Sequence, residues 1–341
     1  MPPKLNIGVI GLTHDHIWDN LPWLAQSAQA RLVAAAEPLA PLRRRIAREY
    51  GCATYTDYRS LLREEQLDAV LIYGDNRGGV AAGVAALRRG LHVLIEKPLA
   101  ADVAGARALL RAAQKARARL MVNWPIAWWP AFQHALKMAR EGAIGHVWQT
   151  RYRAAHCGPR EMGASRHFCE WLYDPHRNGG GALVDYCCYG AVIAREVLGR
   201  PQSVMAAAGR LCKRDLVPDD NAVLLMRYPR ALAMAEASWT QIDKMTAYST
   251  FLYGERGTLW VEPGPEGRLL HATAAHPLGR PVRVPTLPAH LRHPVAHFVA
   301  ALQSGEAFLP LCSAQAGLEA QEILAAGVRS ARTGRAVSLA S

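Results

Sequence analysis

The stretch Leu5-Asn6-Ile7-Gly8-Val9-Ile10-Gly11-Leu12-Thr13-His14-Asp15-His16 decides how this chain folds. Its first residues are mostly apolar without strict alternation, the pattern of a strand buried on both faces. A glycine ends the run, and a helical pattern through Trp18 and Leu24 follows. Strand, glycine turn and helix together open a doubly wound α/β unit, whose turn lets the backbone and a helix N-terminus face a dinucleotide pyrophosphate. Gly11 stands where the first glycine of that fingerprint belongs, while Thr13 and His16 occupy the second and third places.

Working outward, the same texture repeats. Residues 31–36, 68–72, 91–95 and 119–122 predict further short apolar strands. Helical patterns at 43–50, 80–89 and 103–116 lie between them. Non-alternating strands separated by amphipathic helices imply a parallel sheet covered on both sides, a Rossmann-type doubly wound fold. Glu37 closes the second strand, where a carboxylate accepts hydrogen bonds from the adenosine ribose and repels a 2′-phosphate. That favours NAD, with Arg43 and Arg44 nearby keeping NADP possible.

After Asn123 the texture changes, with prolines and tryptophans clustered at Trp124-Pro125 and Trp128-Trp129-Pro130. A helix running to Glu141 is followed by longer strand patterns at 147–155, 203–211, 222–228, 231–239 and 249–253. The links Pro229-Arg230 and Glu255-Arg256-Gly257 are too short for helices and predict antiparallel hairpins. Helices are expected again at 180–198, 294–304 and 313–332. Two domains follow: 1–122 for the cofactor, and 123–341 for substrate and oligomer contacts, the size prior agreeing.

The net charge of +12 raises nucleic acid as a partner. The arginines, however, fall on helix faces such as Arg43-Arg44-Arg45 with Arg48, and Arg107, Arg111, Lys115 and Arg119. Solvated faces account for them, so no nucleic acid is expected. No apolar run approaches the roughly 20 residues that span a bilayer. The seven scattered cysteines read as reduced thiols, and the start Met1-Pro2-Pro3-Lys4 lacks a cleavable leader, so a cytoplasmic location is expected. His156-Cys157, His167, Cys169, His176 and Cys187-Cys188 lack any paired ligand spacing, and no metal is expected.

A lysine at the carboxyl end of a parallel strand points into the crevice where such sheets bind ligands, and Lys97 ends Ile95-Glu96-Lys97-Pro98. The run from His92 to Ala100 resembles the lysine motif of the glucose–fructose oxidoreductase, inositol dehydrogenase and rhizopine catabolism family (Gfo/Idh/MocA). Gly142-Ala143-Ile144-Gly145, Gly179-Gly180-Gly181-Ala182-Leu183-Val184-Asp185, the hairpin around Gly254 and Gly257, and Ala325 to Gly334 are similar to later motifs of that family. The resemblance covers nearly the whole chain. It implies a nicotinamide-binding Rossmann domain followed by an α/β domain with an open sheet, a sugar, cyclitol or polyol substrate, and a homodimer or homotetramer.

It also implies roles. Lys97 and Asp185 match the family's catalytic lysine and aspartate, and Tyr189 stands where many members carry an acid/base histidine. Asp185 and Tyr189 are one helical turn apart and share a face, so Lys97 is expected to lower the Tyr189 pKa. Gly11, Thr13, His14, Glu37, Asn76, Glu96 and Lys97 are expected to hold the cofactor. His156 and His167 are expected to line the substrate pocket, with Trp171 as a platform for a sugar face. Asn76 alone matches the family's usual pattern in its loop, and Ala127 stands where an arginine is common. The expected activity is hydride transfer at a hydroxyl carbon. The alternatives are a glycosidase using tightly held NAD for transient oxidation, or a non-catalytic sensor.

Overall fold

A computed structural model describes residues 3–245 and 247–339. The chain opens with β1 (Leu5–Ile10), α1 (His16–Gln26), β2 (Ala30–Ala36), α2 (Ala40–Tyr50), β3 (Ala53–Tyr55) and α3 (Tyr58–Glu64). It continues through β4 (Ala69–Ile72), α4 (Asn76–Arg88), β5 (His92–Glu96), α5 (Val103–Ala116) and β6 (Leu120–Asn123). These six strands form one parallel sheet in the order β3-β2-β1-β4-β5-β6. The chain winds outward from β1 in one direction and returns to β4 to wind in the other. The carboxyl ends of β1 and β4 therefore flank the crevice where such sheets bind ligands. Gly11 ends β1 at φ +82°, and a Cβ there would lie 2.5 Å from the backbone nitrogen of Gly74, so only glycine lets the two strand ends approach.

The strand β3 and helix α3 are additions to the sequence reading, which passed from residue 50 to residue 68 without them. Three residues carry too little pattern to register as a strand. Lys97 consequently follows the fifth strand rather than the fourth.

The second half contains α6 (Pro130–Arg140), β7 (Val147–Ala155), α7 (Arg166–Leu172), α8 (Pro175–Asn178) and α9 (Ala182–Leu198). Next come β8 (Ser203–Gly209), β9 (Asn221–Arg227), β10 (Leu232–Ser238), β11 (Ser249–Gly254), β12 (Gly257–Val261), β13 (Leu269–Thr273) and β14 (His276–Val282). The chain finishes with α10 (Pro294–Ser304), α11 (Ala314–Thr333) and β15 (Val337–Ser338). The nine strands order as β14-β13-β12-β11-β7-β10-β9-β8-β15. Both anticipated hairpins form, β9 with β10 and β11 with β12. The sheet is mixed, because β7 and β10 run parallel.

Helix α9 covers one face of this sheet at close range: a Cβ on Gly190 would come within 2.3 Å of the Ala235 Cβ. Helix α11 packs on α9 and reaches α5 of the first sheet. The opposite face carries exposed Trp148, Met205, Leu225 and Leu232. Helix α10 packs back on α1, where His293 just ahead of it stacks on Trp23 at 5.2 Å. Among the described residues no helix is long and apolar enough to cross a membrane.

Candidate active site

Two cavities meet at the turn after β1. The first, of about 400 Å³, is lined by Gly11, Thr13, Glu37, Leu39, Gly74, Gly78, Gly79 and His167. Glu37 is buried, and its carboxylate accepts from the Leu12 amide at 2.7 Å and from the Leu39 amide at 2.9 Å. It thus ties the glycine turn to the end of β2. One bond per oxygen leaves lone pairs for ribose hydroxyls. The Arg43 guanidinium donates to the backbone oxygens of Glu37 and Pro38. His167 also lines this cavity, with its buried Nδ1 4.0 Å from Glu170 Oε2 and without a hydrogen-bond partner. Glycine backbone, a carboxylate and an unsatisfied imidazole nitrogen suit the adenosine half of a dinucleotide.

The second cavity, of about 520 Å³, lies between the sheets and is lined by His14, His16, Lys97, Asp185, Tyr186, Tyr189 and Tyr248, among others. Lys97 leaves the end of β5 and donates to Asp185 Oδ1 at 2.7 Å and to the Asp185 carbonyl oxygen at 3.1 Å. Burial alone would push the Lys97 ammonium to give up its proton, but the Asp185 carboxylate, together with Cys188 and Glu96, outweighs this and holds its pKa above the ordinary lysine value. The lysine has three donors and two are engaged by Asp185, which leaves one for a substrate oxygen.

Glu96 is also buried and accepts from Asn123 Nδ2 at 2.7 Å. Asn123 is itself held by Trp128 Nε1 at 2.8 Å. The other Glu96 oxygen meets His16 Nδ1 at 3.2 Å. His14 is buried against Phe168, Trp171 and Tyr73, and burial lowers its pKa. Burial also lowers that of His16, but the Glu96 carboxylate overcomes it and the net shift is upward.

A hydrogen-bonded chain crosses the same cavity. His156 Nδ1 accepts from the Gly158 amide at 2.8 Å, so the neutral ring carries its proton on Nε2 and donates it to the Tyr186 hydroxyl. Tyr186 in turn meets the Tyr248 hydroxyl at 3.0 Å. Burial lowers the His156 pKa to about 4. Tyr248 sits at φ +57°, in the left-handed region that costs a side-chain-bearing residue on the order of 1 kcal/mol.

The sequence-predicted residues therefore divide. Lys97, Asp185, Tyr189, His14 and His156 gather in the second cavity, and Gly11, Thr13 and Glu37 line the first. Glu96 stands beneath the second, bonded to His16. Three positions need correction. His167, expected in the same pocket as His156, lines the first cavity while His156 lines the second. Trp171 is 1% exposed and offers no platform, because its ring packs under His14 with Nε1 turned to the Thr13 carbonyl oxygen; Phe168 lines the cavity instead. Asn76 spends its side-chain amide on Asn178, at 2.7 Å from Oδ1 and 3.0 Å from the carbonyl oxygen, and clasps α8 to α4.

The expected electrostatics of Tyr189 are also reversed. Burial raises its pKa well above the ordinary tyrosine value, and neighbouring Cys188, Tyr152, Glu96 and Asp185 push the same way. The Lys97 ammonium lies 4.9 Å over the Tyr189 ring, with its charge already balanced by Asp185. Tyr186 and Tyr248 were not singled out in the sequence. Tyr186 adjoins the aspartate motif, a signal that was available, whereas Tyr248 carries none.

Fold and site together define a two-domain Rossmann protein with a lysine–aspartate pair facing a polar cleft between the domains. Residues 5–124 match the "Oxidoreductase family, NAD-binding Rossmann fold" and residues 132–260 the "GFO/IDH/MocA C-terminal domain". The chain belongs to the Gfo/Idh/MocA family. It is 29% identical over 213 residues to dTDP-3,4-didehydro-2,6-dideoxy-alpha-D-glucose 3-reductase of Streptomyces antibioticus, covering 62% of each chain. The match thus spans about three fifths of that relative's length. It is 26% identical to D-apiose dehydrogenase of Paraburkholderia graminis, over 99% of this chain and 89% of that one. A solved levoglucosan dehydrogenase, in complex with NADH and levoglucosan, superposes with a TM-score of 0.85 at 22% identity, covering 99% of this chain and all (100%) of the other, and shows the shared fold.

Proposed function

We propose that this chain is a nicotinamide-dependent oxidoreductase acting on a hydroxyl carbon of a sugar, cyclitol or related polyol, with NAD as its preferred cofactor. The observation that carries this reading is the buried Lys97–Asp185 pair, which opens on a cavity lined by tyrosine hydroxyls. The sugar-converting names of the relatives support it. Gly11, Thr13 and Glu37, with residues 1–122 as their domain, would hold the dinucleotide, and Glu37 disfavours a 2′-phosphate. When bound, the nicotinamide supplies the hydride acceptor or donor.

The chain's own residues do the rest. Asp185 fixes Lys97 so that its remaining N–H faces the reacting oxygen and stabilises negative charge developing there. Tyr189, protonated at rest, gives its proton to that oxygen in the reductive direction, and as the tyrosinate takes a proton from it in the oxidative one. Residues 123–341 form the substrate wall. The exposed apolar face bearing Trp148, Met205, Leu225 and Leu232 seats a second copy, giving a homodimer or homotetramer. All seven cysteines are free, in keeping with work in the reducing cytoplasm.

A nicotinamide absorbance assay over aldoses, polyols and cyclitols tests the reading. Turnover with at least one substrate, with NAD over NADP, is expected. Sugar consumption without net cofactor change would point to a glycosidase, and binding of both ligands without turnover to a sensor; either result rejects the proposal.

A further inference from the structure

The glycine turn carries His16 at the third glycine place of the dinucleotide fingerprint and His14 two residues before it, and the hydride-transfer reading uses neither. Side-chain nitrogens of His14 and His16 and a carboxylate oxygen of Glu96 all lie within 4.8 Å of one another. Among the described residues this is the only cluster of three metal-capable side chains, and none of the cysteines or later histidines joins it. We propose that His14, His16 and Glu96 bind one divalent transition-metal ion of the zinc class in the cleft beside Lys97.

Three observations support the site. The first is charge. Glu96 is 3% exposed, and its nearest cationic partner among the described residues is His16, with no lysine or arginine paired to it. The adjacent Lys97 is engaged with Asp185 at 2.7 Å, so those two charges cancel and the Glu96 charge remains. A buried carboxylate that faces only an imidazole and an amide is a ready ligand for a cation.

The second is orientation. Asn123 holds one Glu96 oxygen at 2.7 Å and is itself fixed by Trp128, so the other oxygen is aimed at His16. This is the outer support that metal-binding carboxylates require. The His14 ring is braced by Phe168 at 4.8 Å and Trp171 at 5.6 Å, which gives the group an apolar backing.

The third is the donor set. Two imidazoles and one carboxylate suit borderline ions and leave positions open towards the cavity. Ligand atoms at about 2.1 Å from zinc lie roughly 3 to 3.5 Å from each other, so the cluster must close by up to roughly 1.5 Å. His16 Nδ1 and Glu96 Oε1, 3.2 Å apart, already meet that spacing, so the remaining closure falls to the contacts with His14. His14 Nδ1 is engaged only by the His16 amide at 3.3 Å, a bond an ion would readily displace.

The test does not depend on turnover, so it stands or falls apart from the hydride-transfer reading. Chelator-stripped full-length protein is titrated calorimetrically with zinc chloride, and with cobalt(II) for its visible spectrum. One ion per chain is expected, with affinity falling more than tenfold in His16→Ala and in Glu96→Gln and unchanged in His290→Ala, an exposed histidine elsewhere. Should Glu96→Gln fold poorly, the half-exposed His16→Ala decides alone. Equal zinc binding by wild type and His16→Ala overturns the proposal. So do a failure of wild type to bind and a thiolate charge-transfer band in the cobalt spectrum.

Discussion

Lys97 Nζ lies 2.7 Å from Asp185 Oδ1 with both side chains almost wholly buried, so each charge depends on the other for its counter-ion. Removing one partner strands the other. Asp185→Asn should therefore destabilise the protein by about 3 kcal/mol or more, and Lys97→Met/Asp185→Leu should recover most of that loss. Urea denaturation measures both. The double variant should not turn over, because it restores packing without the ammonium. Lys97→Ala should lower kcat by about 100-fold or more while dinucleotide affinity holds. Near-normal turnover in Lys97→Ala would remove the lysine from the chemistry.

Glu37 links cofactor choice to the shape of the turn, since its two oxygens hold the amides of Leu12 and Leu39. Glu37→Gln keeps one acceptor and loses the charge. NAD affinity should fall and the preference over NADP should narrow, measured by calorimetric titration with both. Tighter binding of NADP by wild type, unchanged in Glu37→Ala, would exclude the assigned role.

The first sheet was largely legible because each of its longer strands is a short apolar run buried on both faces, and residues 103–116 form a helix as the pattern predicted. The strand β14 was not read, since Pro277, Gly279 and Pro281 break the pattern of an edge strand that tolerates them, and the five residues of its neighbour β13 carry too little pattern. Within the site, Lys97 and Asp185 came from motifs at element ends, where backbone geometry dictates direction. His167, Trp171 and Asn76 were misplaced for one shared reason. The segment from Ser165 to Asn178 folds back over the first sheet, through Ser165 to Asp15, Arg177 to Asp75 and Asn178 to Asn76. Contacts about 100 or more residues apart in the chain leave no local periodicity to read.

His156 makes stability pH-dependent. Its pKa is about 4 in the folded protein against 6.5 as the ordinary value, because burial disfavours the charged ring. The unfolded chain then binds more protons between those values, so stability is complete above pH 6.5 and is lost as pH falls towards 4. The loss from this group is on the order of 3 kcal/mol, and His293 and His297, lowered to about 4 by the same cause, add to it. His156→Gln should flatten the acid limb of a plot of urea-unfolding free energy against pH. An unchanged slope would show that the ring titrates normally in the fold.

The open sheet face predicts assembly. Leu225 is 42% exposed on β9, so Leu225→Glu should leave the protomer's stability nearly unchanged. If a second copy covers this face, the substitution places a charge in an apolar contact and light scattering should register a smaller particle. An identical mass for the two proteins would place the interface elsewhere.

Tyr186 and Tyr189 are three residues apart on α9 and both reach the cavity, yet their surroundings differ. The Tyr186 hydroxyl is bonded on both sides, by His156 and Tyr248, whereas the Tyr189 ring packs between Trp124 and Tyr152 near Lys97. A hydroxyl already committed to two neighbours orients the cavity wall, and one beside the ammonium is placed for proton transfer. Tyr189→Phe should therefore lower kcat by roughly 100- to 10,000-fold with little effect on KM, the usual contribution of a positioned acid or base. Tyr186→Phe should raise KM and cost kcat less, because it frees His156 and Tyr248 without touching the reacting oxygen. The pH–rate profiles separate the two roles further. With Tyr189 as the acid, the basic limb in wild type should lie far into the alkaline range, since burial raises its pKa, and Tyr189→Phe should abolish it. If instead Tyr186→Phe shows the larger loss of kcat and the altered basic limb, the proton passes along the His156–Tyr186–Tyr248 chain and Tyr189 is a packing residue.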